Sequence, residues 1–168
     1  LLKLKDLKIY DSTNSNAVAV NVSNGDADVI LENVDLSAKI TASQVFDLTT
    51  SGTTYFNASV ENANLLNLGN LTTTAENIAA ANSVINNHNL NLSGNLNKSI
   101  AGDGTTYISS TLAFANGANI SGTLDMNNGS LALSSAALTS HNVATLIGNG
   151  YMSIDLNLSA VASDKIIS

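Results

Sequence analysis

Apolar residues in this chain come in short alternating steps, broken by asparagine, glycine or aspartate about every ten to twelve residues. Ala17–Val22 (AVAVNV), Asp28–Leu36 (DVILENVDL), Asn64–Leu71 (NLLNLGNL), Asn89–Leu96 (NLNLSGNL), Ile120–Met126 (ISGTLDM) and Ser130–Leu133 (SLAL) are such steps. A period of two puts apolar side chains on one face of an extended segment, and runs of this length between turn residues describe strands. The pattern predicts an all-β chain. Leu1–Asp11 alternates too, with Leu2, Leu4, Leu7 and Ile9 apolar and Lys3, Lys5 and Lys8 between them. Its phase slips at Asp6-Leu7, which predicts a strand with a bend or bulge, a helix being the competing assignment. Asp28–Leu36 changes phase in the same way at Glu32-Asn33. Ser12–Asn16 and Ser23–Asp26 are turn clusters.

One longer unit recurs. Ile40–Gly52 followed by Thr53–Asn57 returns without a gap as Leu138–Gly150 followed by Tyr151–Asp155, pairing Thr41 with Thr139, Val45 with Val143, Leu48 with Leu146 and Gly52 with Gly150. A partial copy is Thr74–Asn82. Thr41-x-x-Gln44 has the form of a helical capping box, as does Thr73-x-x-Glu76, with Asn142 in place of Gln in the last copy. Val45 and Leu48, three apart, would share one face of a helical turn, as would Ile78 and Ala81, and Gly52 suits a left-handed stop. The unit therefore predicts a short capped helical turn feeding a strand, with Val45, Leu48, Val143 and Leu146 buried and Gly52 and Gly150 at turns. Thr41, Thr74 and Thr139 differ by 33 and 65 residues, so a repeat of roughly 33 residues fits, and periods in that range mark solenoids.

Composition selects among β architectures. The 168 residues include 25 Asn, 21 Ser and 15 Thr, only 11% charged residues, and no Pro, Cys, Trp or Arg. A hydrophobic share of 44% separates the chain from disordered sequences, which combine low hydrophobicity with high net charge. Asn tolerates left-handed corners and forms hydrogen-bonded ladders when stacked, whereas stacked like charges repel. A parallel β-helix, or β-solenoid, with short helical turns accounts for all of these traits, with a β-sandwich as the alternative. Residues 1–168 are expected to form one solenoid segment of a longer chain, because the sequence opens on Leu1 rather than Met.

The same composition narrows function. Six Lys against a net charge of −7 disfavour duplex nucleic acid, which needs clustered cations, and anionic lipid surfaces. No apolar run approaches the roughly 20 residues of a membrane-spanning helix, so no membrane insertion is expected. Asp26, Asp28, Glu32 and Asp35 lie within ten residues, beside Asn24 and Asn33, and form a candidate calcium site, although the spacing is neither an EF-hand nor a calcium-binding nonapeptide. His88 and His141 stand in no H-E-x-x-H or triad context, and G-x-S-x-G and Walker motifs are absent. Asp103, Asp125 and Asp155 are the carboxylates to weigh for glycoside hydrolysis, yet nothing in the sequence pairs them. With 4% aromatics the chain offers little for sugars to stack on, and the Thr pattern lacks the regular spacing of an ice-binding ladder. No catalytic residue, and hence no enzyme, is expected. Eight Asn-x-Ser/Thr triplets exceed only mildly the about five that chance supplies at this composition.

By the Ile40–Phe56 and Leu138–Ser153 units and the Asn/Thr/Ser-rich, cysteine-free composition, the chain resembles bacterial repeat-rich surface proteins, notably surface-layer proteins and large adhesins of Gram-negative bacteria. Autotransporter passengers and phage tail fibres share the composition. The resemblance implies an extracellular, cell-surface β-solenoid, often calcium-stabilised, that self-associates with identical or flanking domains into a lattice or stalk. The alternative it implies is an adhesin or tail-fibre segment that binds a host glycan or protein through loops such as Asn86–Asn89 or Asn116–Asn119.

Overall fold

The computed structural model describes residues 1–10, 17–23, 25–115, 117–133, 140–154, 156–157, 162–163 and 165–167. Short strands run around a coil of about seven turns, each strand pairing in parallel with its equivalents in neighbouring turns. Among the described strands the one antiparallel pairing is Leu156–Asn157 with Ala162–Ser163.

One face stacks Asp28–Leu36, Phe46–Ser51, Ala63–Asn67 and Ser83–Asn86, in the register Val29, Leu48, Leu65, Val84. The chain then turns a corner, and a second face stacks Leu36, Phe56, Thr73, Leu92 and Ile108. Later turns lengthen the second stretch, so that Leu96, Phe114, Leu133 and Ile154 also stack. On a third side Val18–Val22 lies beside Lys39–Ala42, and Ile40 bridges to Val60. The inward residues form one continuous core, in which all three phenylalanines, Phe46, Phe56 and Phe114, are fully buried. Each such side chain removed from water contributes about 2–3 kcal/mol before entropy is counted.

Both phase slips are corners. Asp6 (φ 52°) and Asn33 (φ 56°) take left-handed backbone and stack on Gly52 (φ 61°). Asp and Asn are the non-glycine residues that tolerate this region best. Leu2–Ile9 and Asp28–Leu36 each remain one strand that changes face at that residue. The Asn33 side chain seals the corner, donating to Asp6 Oδ1 at 2.8 Å and accepting from the Thr53 N–H at 2.9 Å.

The recurring unit is not a helical turn. Lys39–Ala42 and Phe46–Ser51 are strands joined by a bend at Ser43–Gln44. Gln44 does not reach back to Thr41; its Oε1 accepts from the Gly25 N–H at 3.2 Å. Leu48 is buried as expected, through strand alternation with Phe46 and Thr50, while Val45 is 41% exposed. A lone helical turn fixes several residues for one hydrogen bond, whereas a strand inside the coil pairs on both edges, so the period of two wins. In the last copy Ser140–Ile147 is likewise a strand, with Val143 buried and Leu146 only partly so. Gly148, not Gly150, has the left-handed φ there, and Leu138 and Thr139 lie outside the described residues, as do Ser12–Asn16 and Asn24.

The partial copy does form a helix, Ala75–Ile78, and it is the one helix among the described residues. Its cap is Thr74, whose Oγ1 accepts from the Asn77 N–H; Thr73 is a buried strand residue donating to the Phe56 carbonyl. Ile78 and Ala81 are buried as expected. The roughly 33-residue period is also corrected. Val29 to Leu48 is 19 residues and Leu48 to Leu65 is 17, while Thr41 stacks on Asn21 and Thr74 on Ser93.

Candidate functional site

Stacking turns every position into a column whose members lie about 4.8 Å apart. The inward column Leu31, Thr50, Asn67, Asn86 begins apolar and continues as a buried polar ladder. Thr50 Oγ1 donates to Asn67 Oδ1 at 2.9 Å, and Asn67 Nδ2 donates to Asn86 Oδ1 at 2.8 Å and to the Asn89 carbonyl at 2.9 Å. Asn67 Oδ1 also accepts from the Gly69 N–H, and Asn86 repeats the motif by accepting from the His88 N–H and donating to the Thr105 carbonyl. Each Asn thus ties its own corner to the next turn. At the same corner the backbones approach so closely that a Cβ at Gly69 would lie 2.4 Å from the Gly52 oxygen, and one at Gly104 2.4 Å from the His88 oxygen.

The four carboxylates singled out in the sequence do not converge. Asp28 and Glu32 lie on one strand, roughly 13 Å apart at 3.3 Å per residue. Glu32 is held by Lys3 and Lys5, both at 2.7 Å, and Asp35 by Lys8 at 2.9 Å and the Asn57 amide at 2.9 Å. Among the described residues no group of three His, Cys, Asp or Glu side chains is placed to hold a metal ion. The lysines of Leu2–Ile9 thus neutralise two of the four.

Those ion pairs fasten the first turn and make it acid-sensitive. Hydrogen bonds from Lys3 and then Lys5 lower the Glu32 pKa to about 2. A lowered folded-state pKa stabilises fully above the unfolded value of 4.5 and is lost as pH falls through about 2. Amide-exchange protection of Leu2–Ile9 is therefore expected to fall between pH 4.5 and 2 while Leu90 and Leu92 stay protected, and Glu32→Gln should remove that difference. Uniform loss along the chain would contradict this.

The remaining candidates stay apart. His88 is exposed at a corner; His141 is fully buried, its Nδ1 2.9 Å from the Ala118 carbonyl and its ring edge-on to Phe114 at 5.2 Å. Asp103 is exposed at the corner before Thr105, whereas Asp125 stacks on Tyr107 in the second face and accepts from the Asn127 N–H. Asp155 and Asn116 lie outside the described residues. Asn86 is a ladder member rather than a free loop residue. Register brings together one group invisible in the sequence: Tyr55, Thr72, Asn91, Tyr107 and Asp125 form an outward column on the second face.

A second group is a shallow pocket of about 320 Å³ on the first face, bordered by Asp28, Asp47 and Asn64 on one side and Thr49, Leu66 and Ile85 on the other. No family model, curated protein or solved structure matches this chain. The arrangement supplies a rigid, laddered scaffold with two distinct outward faces.

Proposed function

We propose that this chain is a non-enzymatic structural segment of an exported bacterial cell-surface protein, and that it works by rigid stacking and self-association. The observation that carries this is at the two ends of the described coil. The outer edges of Leu2–Ile9 and Tyr151–Ile154 have no strand partner among the described residues. Both ends also expose apolar side chains: Leu2, Leu7 and Val18 at one, Ile147, Met152 and Ile154 at the other. Unpaired apolar strand edges are templates for further pairing. Because every turn runs parallel to the next, one end presents the strand direction that the other accepts, a head-to-tail contact that builds stalks or sheets rather than closed pairs. A chain with few charges and no thiols suits dense packing outside the cell.

Sedimentation velocity over a concentration series tests it. The expected result is concentration-dependent growth to elongated assemblies, abolished by Met152→Lys with Ile154→Lys, charges that block edge pairing. A monomer at every concentration would sink the proposal. A second function, glycan binding by an adhesin or fibre segment, is favoured by the Tyr55–Asp125 column, which sets two tyrosines among the hydrogen-bonding side chains of Thr72, Asn91 and Asp125 on one outward face. A glycan array showing a saturable hit that Tyr107→Ala removes would favour it.

A further inference from the structure

The pocket on the first face joins two unlike columns. One is Asp28, Asp47, Asn64, Ser83; the other, two residues further along each strand, is Ile30, Thr49, Leu66, Ile85. The first column starts with two carboxylates on consecutive turns, where like charges repel. The chain's ion pairs on neighbouring strands neutralise Glu32 and Asp35, but neither Asp28 nor Asp47 has a cationic partner among the described residues. Among the described residues the Asp47 carboxylate accepts one hydrogen bond, from the Asn64 amide at 2.9 Å. Alongside, the second column leaves Ile85 37% exposed and Leu66 partly exposed, facing outward from the coil rather than into its core. The pocket therefore has a negative wall and an apolar wall, roughly 7 Å apart at the two-residue repeat of a strand.

We propose that this groove docks an extended segment of another polypeptide that carries arginine or lysine next to apolar residues. The cationic head would lie between Asp28 and Asp47, relieving their repulsion, and the apolar neighbour would cover Leu66 and Ile85. An arginine fork matches two adjacent carboxylates, and both cationic side chains carry apolar stems that suit the opposite wall. A second copy of this chain is a poor occupant, since its Lys3, Lys5 and Lys8 are already held by Glu32 and Asp35 and its net charge is −7.

The probe is a fluorescently labelled peptide alternating arginine and leucine, titrated with the full chain and followed by anisotropy. Saturable binding is expected. Asp28→Asn with Asp47→Asn should weaken it at least about tenfold, the range of a truncated interface charge pair, and Ile85→Ser about threefold or more. The double variant removes a repulsive pair, so its melting temperature should not fall. Asp6→Asn with Asp103→Asn makes the same change in net charge elsewhere and should leave binding unchanged. The proposal is overturned if that control weakens binding equally, if an arginine-serine peptide of equal charge binds as tightly, or if the groove variants bind like the parent. It is also overturned if calcium saturates the parent but not the double variant, because the carboxylates would then serve a metal ion.

Discussion

Asn67→Ala is expected to destabilise the coil by about 4 kcal/mol, because two buried groups lose their partner at once, each at a cost of roughly 1–3 kcal/mol, and two further hydrogen bonds go with them. The stranded groups are the Thr50 hydroxyl and the Gly69 N–H; the Asn86 side-chain oxygen, which keeps the His88 N–H, and the part-buried Asn89 carbonyl each lose one bond. Asn70 is the internal control. It makes a similar Asn–Asn bond, accepting from Asn89 Nδ2 at 2.9 Å, but on the exposed side of the wall. Asn70→Ala should cost no more than about 0.5 kcal/mol, as water replaces the partner. Urea unfolding of the two variants decides the matter; equal midpoints would show that the inner ladder is no stronger than the outer one.

Gly104→Ala is expected to cost about 3 kcal/mol, the upper part of the range for forcing atoms into a packed interior. Its Cβ would meet backbone atoms of His88, the nitrogen at 2.5 Å and the oxygen at 2.4 Å, and backbone held in a ladder cannot swing aside as a side-chain tip can. Gly117→Ala separates crowding from conformation. Gly117 has φ 75° but nothing within 4 Å of its Cβ position, so its cost should stay near the 1–2 kcal/mol of a left-handed non-glycine residue. Thermal melts of both variants would rank them; a Gly117 variant as unstable as the Gly104 variant would mean that the corner is not close-packed.

Several parts of this architecture are legible in the sequence. The slips at Asp6 and Asn33 marked corners, since a strand that changes phase must turn its face, and Asp and Asn are among the residues that allow the turn. The low charge and high Asn content pointed to stacked turns. The repeat length was not legible, because turns of different length align through register and not through residue identity. Leu92 to Ile108 is 16 residues and Leu133 to Ile154 is 21. The Ile40–Gly52 unit misled for a related reason: cap, apolar pair and glycine satisfy a helical turn and a bent pair of strands equally well, and only Thr74–Ile78 realises the helix.

The amino-acid sequence by itself determined the strand character of the alternating segments, the direction of their apolar face and the turns at Asp6 and Asn33, all local properties of alternation and backbone sterics. Which asparagines are buried was decided only by tertiary structure. Asn67 and Asn70 are three residues apart and chemically identical, yet one is 1% exposed inside a ladder and the other faces solvent. Burial of an amide is tolerable only where partners meet it from the turns on either side, and those partners, Thr50 and Asn86, are 17 and 19 residues away. The groove follows the same logic: Asp28 and Asp47 become neighbours only when parallel pairing sets a 19-residue offset between their strands.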